Sequence, residues 1–534
     1  MDLSNTEYSD FTCVSNVHTL NLSYSKNLID VSYLGNIKIL NLHYCLKVSD
    51  VSNLGNVHTL NLNLCESVRD ISYLGNVHTL SLQCTKITDV SALTNVKILD
   101  LSCCNIKDVS SLSNCYSLNL TGCKLIKKVS ALGNVHILNL SRCKNVKDVS
   151  SLKNVYDLNL TGCRQLIGIG ELKNVTRLNL SGSNYFSYNN NLDVGELGNV
   201  HTLTLTNCDT LRNVHMLSNV HTLVLTNCNS IREVHTLCNV VNLNLSYCVN
   251  VRDVDLLGNV HTLNLSGCSR IVDVSRLGNV YDLDLSMCQR VVDVNGLTNV
   301  HNLNLSHCDR ITDVSALGNV YKLSLRDCDQ IEDISALGHV HTLNLSGCTK
   351  IKDFSALVGV YDLNASDTNI SDCSALGNTH ILDLSNCPHI TDISTLGRVH
   401  TLDLSCCTGI QDFSALTNVH TLNIYGSSFA PMLNVIDVSS FAKCRNLSLS
   451  YCPNLIDVSA LGNVYCLNLN FCENLLDVSM LGNVSILNLD GCINISNLDN
   501  LDSVKSIFLD GVKIAQQQLP SKPEDRGFNV IFFK

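Results

Sequence analysis

Tryptophan is absent from the 534 residues, proline occurs five times, and aromatic side chains make up only 5%. Anchors of the kind that protein interfaces use are therefore few, and their places matter. Long apolar runs are missing as well. Val530 to Phe533 is typical of the longest, far short of the roughly 20 residues that cross a bilayer. The first residues read MDLSNTEYSD, acidic and without an apolar stretch, so no secretory signal is expected and the chain reads as cytoplasmic. No nucleophile elbow, phosphate-binding loop, HExxH or dinucleotide fingerprint occurs, so no enzyme is expected. No C-x-x-C pair occurs either, which leaves zinc and thioredoxin-type readings unsupported, and no cofactor or metal is expected. A hydrophobic content of 45% with 16% charged residues excludes a disordered chain. The net charge of −11 argues against nucleic acid as the main partner.

What the chain does contain is a period. The frame that begins Val57-His58-Thr59-Leu60 restarts at Val77, and it is found 25 times between Val17 and Val504. Nineteen of the 24 intervals are 20 residues, three are 19 and two are 25. Such a period signals stacked repeats, not several compact cores. Within one unit, apolar residues fall at fixed places, as at Val260, Leu263, Leu265, Cys268, Ile271, Val274 and Leu277. Val-x-x-Leu-x-Leu alternates with period two and reads as a short half-buried strand. Gly278-Asn279 is a turn signal before the next strand. The dozen residues between strands leave room for one turn of 3₁₀ helix around Asp273-Val274-Ser275, not for a full helix. One unit cannot bury seven apolar residues alone; a stack can.

Val260-x-x-Leu263-x-Leu265-x-x-Cys268 resembles the leucine-rich repeat. The following Ile271-x-Asp273 resembles the cysteine-containing class known from F-box substrate receptors, while the short Asp-Val-Ser-x-Leu return resembles internalin-type repeats. The resemblance covers residues 17 to about 514. It implies a β-rich solenoid of the α/β leucine-rich-repeat class with little helix: one elongated right-handed coil of about 25 turns with a parallel sheet on its concave face. Residues 1–16 read as a half-repeat cap and 515–534 as a C-terminal cap or tail. Twenty residues is short for the family and leaves no room for convex helices, and no F-box fits into the first 16 residues.

In a stack each position becomes a column with steps of about 4.8 Å. Most of the 28 cysteines stand in one column, including Cys45, Cys123, Cys268 and Cys492. It is the inward position, where cysteine acts as a small hydrophobe, so a reduced core column and a reducing compartment are expected. Asn fills the outward position between the two leucines in 15 of 25 units, as at Asn119, Asn139, Asn159 and Asn179. An amide ladder is expected there. Twelve of the 18 histidines follow the first valine, with Tyr156, Tyr281, Tyr321 and Tyr361 substituting. His380, His400 and His420 could chelate a metal, but a rim of flat side chains is the expectation, with imidazole pKa values depressed by mutual repulsion. Nineteen aspartates share the xAsp-Val-Ser place. Capping of the return turn is expected of them, with a calcium ladder as the alternative. Arg270, Arg290, Arg310 and Lys350 stand three residues before their aspartates and read as a charge-balancing row.

Two units break the pattern with five extra residues, around Ser181–Leu192 and Tyr425–Asn434. Insertions in solenoids map to loops on one face, often the binding face. Tyr185, Phe186 and Tyr188 in the first, with Phe429, Pro431 and Met432 in the second, are the candidate partner-binding residues. The function expected is a non-enzymatic intracellular protein-interaction scaffold, binding a protein partner (a second copy of the chain included) through the concave strands and the two loops. The alternatives are a structural or assembly component, for example of a large virus particle or host-interaction surface, and a substrate receptor of a ubiquitin-ligase-type complex without its own F-box.

Overall fold

The computed structural model describes residues 1–6, 8, 11–14, 17–182, 194–428, 431–432, 435–495, 498, 500–501, 504–509 and 529–531. The chain divides into two compact units, Met1–Arg270 and Ile271–Lys534, and one kind of coil builds both. Among the described residues, unit 1 holds thirteen three-residue strands from Thr19–Asn21 to Thr262–Asn264, and unit 2 holds thirteen more from Asp282–Asp284 to Asn529–Ile531. Within each unit consecutive strands pair in parallel with leucine opposite leucine: Leu20 with Leu40 and Leu40 with Leu60 in the first, Leu323 with Leu343 in the second. That register follows from the sequence. A slip of one residue would turn every buried leucine to solvent.

The ladder runs on past each strand. Leu22 N–H donates to Asn41 O at 2.8 Å and Tyr24 N–H to His43 O at 2.8 Å. At the N-terminus Leu3 N–H reaches Asn21 O at 2.8 Å, so the first residues run beside the first strand. At the other end Asn529–Ile531 pairs in parallel with Ser506–Phe508.

Inside the coils the repeating apolar residues are sealed. Leu243, Leu245, Cys248, Val251, Val254 and Leu257 make one rung in unit 1; Leu323, Leu325, Cys328, Ile331, Ile334 and Leu337 make its counterpart in unit 2, all at most 2% exposed. The chain returns through a 3₁₀ turn, Asp255–Asn259 in the first case and Ser335–His339 in the second. Among the described residues there are 22 such turns and no α-helix. The turn expected around Asp273 spans Ser275–Leu277 instead. It starts two residues later because Asp273 stays outside it, accepting the Ser275 N–H at 2.9 Å. A short parallel strand followed by a 3₁₀ return is the coil that the leucine-rich-repeat resemblance implies. No helix among the described residues is long and apolar enough to cross a membrane.

All 28 cysteines are free. Column cysteines link one coil to the coil before it. The Cys45 thiol donates to Leu22 O at 3.2 Å, Cys248 to Leu225 O at 3.0 Å and Cys492 to Leu469 O at 3.0 Å. Burial pushes the Cys65, Cys268 and Cys348 thiols up to about 12, so they remain protonated donors.

Candidate interaction surfaces

The outward asparagines spend their side chains on the coil itself. Oδ1 of Asn21 accepts the Ser23 N–H at 3.1 Å, that of Asn139 the Ser141 N–H at 2.9 Å and that of Asn244 the Ser246 N–H at 2.9 Å. This is an Asx turn, and it ends the strand. Contacts along the stack also occur: Asn41 Nδ2 donates to Asn21 Oδ1 at 2.9 Å and Asn423 Nδ2 to Asp403 Oδ2 at 3.0 Å. The expected amide ladder is therefore secondary to a local role within each coil.

The aspartate column works in the same way on the return side. Asp30, Asp148, Asp333 and Asp477 each accept the N–H two residues ahead at 2.9–3.0 Å. In Asp333 and Asp477 the backbone donor is the main reason the carboxyl lies below its usual value; in Asp148 the Ser150 hydroxyl contributes most. The charge-balancing row is not what the structure shows. Among the described residues no ion pair joins Arg270, Arg290 or Arg310 to these aspartates, and Lys350 Nζ donates to Gln330 Oε1 at 2.8 Å. Each carboxylate accepts an N–H of its own 3₁₀ turn instead.

The histidine position forms ring stacks. In unit 2 eight rings run from Tyr281 through His301, Tyr321, His341, Tyr361, His380 and His400 to His420, with centroids 4.5–4.9 Å apart. In unit 1 the stacks are short: His58 on His78, Tyr116–His136–Tyr156, and His201 on His221. Where threonine follows, Nδ1 lies against its hydroxyl, as in His58 at 3.2 Å and His420 at 3.3 Å. No group of three or more His, Cys, Asp or Glu among the described residues is placed to hold a metal. Loss of solvation, then His420 and His380, hold His400 below the usual imidazole value.

Of the six loop residues singled out from the sequence, Tyr185, Phe186, Tyr188 and Phe429 lie outside the described residues. Pro431 is half-buried. Met432 is a correction: it is 1% exposed and belongs to the core. Counted back from Val435 and Val438, it stands where other coils place cysteine, so its side chain fills that slot and is not a surface anchor.

A column that sequence reasoning passed over also carries exposed aromatic surface. The residue just before the core cysteine, or before Ser25 in the first coil, sits at positive φ, between 54° and 62°, in Tyr24, Tyr44, Leu64, Arg142, Tyr247, Met287, Asp327, Tyr451 and Phe471. The N–H of this residue is bound to the next coil, as in Tyr247 N–H to Ser266 O at 2.7 Å, and the stack imposes the conformation. Tyr24, Tyr247, Met287 and Phe471 are 40–47% exposed. Tyr24 lies 5.4 Å from Tyr44, and Tyr451 stacks on Phe471 at 4.6 Å. Glycine at this place makes room for the neighbour: a Cβ on Gly267 would lie 2.6 Å from the Tyr247 ring, and one on Gly491 would lie 2.5 Å from the Phe471 ring. The signal available in the sequence was variety, since this column changes residue type while its neighbours repeat.

A hollow of about 700 Å³ opens on the return side of unit 1, lined by Arg212, His215, Arg232, Glu233 and His235 among others. It lies where Asp-Val-Ser gives way to Asn213-Val214-His215 and Glu233-Val234-His235.

No protein-family model matches the sequence, and no curated protein matches it. Among solved structures, the functional domain of InlJ from Listeria monocytogenes, which includes a cysteine ladder, is 21% identical over 70% of this chain and 74% of its own, with a TM-score of 0.32. The internalin InlF from Listeria monocytogenes is 19% identical over 68% of this chain and 85% of its own, with a TM-score of 0.26. At these scores neither likeness bears on function, and the assignment of the fold rests on the coil itself.

Proposed function

We propose that this chain of leucine-rich-repeat coils is a non-enzymatic scaffold that captures a protein partner on the strand-and-turn face and at its two insertions. The observation that carries the reading is the exposed turn column. The strand amides are occupied within the coils, whereas the exposed Tyr24, Tyr247, Met287 and Phe471, with the half-buried Tyr44 and Tyr451, offer apolar area beside them. Rigid aromatic rings of this kind are what interface centres use. Free thiols throughout suit a reducing compartment. A second reading, an assembly component, is favoured by the uniform eight-ring stack of unit 2, which repeats one chemistry and discriminates little.

The test compares two serine variants in affinity capture. One replaces Tyr185, Phe186, Tyr188, Phe429 and Pro431, leaving Met432 in the core; the other replaces Tyr24, Tyr44, Tyr247, Tyr451 and Phe471. Loss of capture in either, with an unchanged thermal transition, is the expected result. Undiminished capture by both removes the proposal.

A further inference from the structure

The charge of the molecule is divided unevenly between its units. Unit 1 has 21 Lys and Arg against 19 Asp and Glu, a net +2; unit 2 has 15 against 28, a net −13. The division is sharpest in the residue that precedes the aspartate position. In unit 1 three consecutive coils place Lys107, Lys127 and Lys147 there, all exposed. Lys124 and Lys144 stand beside them, and residues 97–177 carry 12 basic against 5 acidic side chains. In unit 2 three consecutive coils place Ile436, Ile456 and Leu476 at the same position, 64%, 60% and 50% exposed. Each is followed by a carboxylate, Asp437, Asp457 and Asp477. These carboxylates accept the N–H groups of Ser439, Ser459 and Ser479 through Oδ1 at 2.8–2.9 Å.

An exposed aliphatic stripe edged by carboxylates calls for a partner that is both aliphatic and cationic. Lysine is both, since its four-carbon stem covers apolar surface while its ammonium stays at the rim. The two surfaces also share a pitch. The strands that lead into the three lysine coils pair in parallel, in register, Leu99 with Leu118 and Leu118 with Leu138, so these coils step by the strand spacing of about 4.8 Å. The parallel in-register strands of unit 2 give its coils the same step. Three cations can therefore meet three carboxylates without a change of register.

We infer that Lys107, Lys127 and Lys147 of one chain dock on the Ile436–Ile456–Leu476 stripe and its Asp437–Asp457–Asp477 border in a second copy. Exposed ion pairs are individually weak and are screened by salt, so the contact is a reversible, salt-sensitive self-association whose specificity lies in the shared pitch. None of the residues of this surface is replaced in the partner-capture variants, so its failure and the failure of partner capture are separate results.

Sedimentation velocity over a concentration series, at low ionic strength and again at about 1 M salt, where the screening length is about 3 Å, tests the contact. The full chain is expected to self-associate in the first condition and to be monomeric in the second. K107E/K127E/K147E should weaken association at least tenfold. I436K/I456K/L476K keeps the aspartate caps in place and should weaken it equally. An equimolar mixture of the two variants should associate again, because the lysines retained by the second fit the stripe retained by the first. A thermal transition unchanged from the parent confirms that each variant is folded; where reversal disturbs the fold, K107A/K127A/K147A and I436S/I456S/L476S replace them. A wild-type chain that stays monomeric at every concentration, including one that instead retains heparin through the same lysines, overturns the inference. So does association that neither variant affects, or a mixture that fails to recover it.

Discussion

Units 1 and 2 are built from the same coil, yet they differ in what they present. Inside, Leu245, Cys248 and Val251 of unit 1 could be exchanged for Leu325, Cys328 and Ile331 of unit 2 with little consequence, since all are 0% exposed in equivalent slots. Outside, unit 1 is close to neutral with a local excess of lysine and short ring stacks, whereas unit 2 is strongly acidic and carries eight rings in file. The difference teaches that a solenoid separates two problems. The inward positions are constrained by stacking, because each rung must fit the rung beside it. The outward positions are free to diverge, and their divergence is organised by region.

The sameness of the two cores is open to a severe test with alkali. Burial raises Cys65, Cys123, Cys248 and Cys268 in unit 1, and Cys308, Cys328, Cys348 and Cys492 in unit 2, to about 12. The unfolded value is about 8.5. A raised thiol pKa means that the folded chain holds protons which the unfolded chain releases. The stability contributed is then fully present below the unfolded pKa and is lost as pH rises through the folded one. Each such thiol removes up to about 1.4 kcal/mol per pH unit in that window. Four in each unit are enough to exhaust a stability of about 5–15 kcal/mol by roughly pH 11. Denaturant melts between pH 8 and 11, resolved by hydrogen exchange, should show both units failing together. Failure of one alone would mean that the cores are not equivalent.

A smaller effect separates a regular coil from an inserted one. Met432→Ala in unit 2 empties a slot sealed by a long side chain and should cost about 2–5 kcal/mol. Cys268→Ala in unit 1 removes a small thiol and one weak hydrogen bond, for about 1 kcal/mol. Equal costs in chemical denaturation would return Met432 to the surface and restore it as a binding anchor.

The smallest effect concerns the ring stack of unit 2. His400, between His380 and His420, should titrate below the unfolded value of about 6.5. With a depressed imidazole pKa the unfolded chain binds more protons, so this contribution is present above about pH 6.5 and lost as pH falls through the folded value. Replacing His380 and His420 by threonine should move the His400 titration upward in an NMR pH series. No movement would show that solvation alone sets it.

Much of this was legible in the sequence for a physical reason: where stacking forces the same residue on every coil, repetition reveals the constraint. The strands at Val-x-x-Leu-x-Leu, the buried cysteines and the capping role of Asp273 were all readable from their spacing. The residue before the cysteine was not. Tyr24, Leu64 and Arg142 give no hint of a positive φ, because hydrogen bonds to the next coil impose it and not the residue's own preference. Met432 was misplaced for a related reason. Five extra residues can enter a coil at several points, and only the packing shows which side chain regains the buried slot.

The leucine ladder joins each leucine to its equivalent one repeat away, and the thiol bonds join a cysteine to a leucine carbonyl of the preceding coil, as in Cys248 to Leu225. A recombination event that removes or duplicates one whole repeat in the coding sequence would therefore join a donor to a new acceptor of the same kind at the same distance. The molecule should tolerate changes in copy number far better than the loss of a single residue within a strand. Its length is then a heritable variable, adjustable in units of one coil.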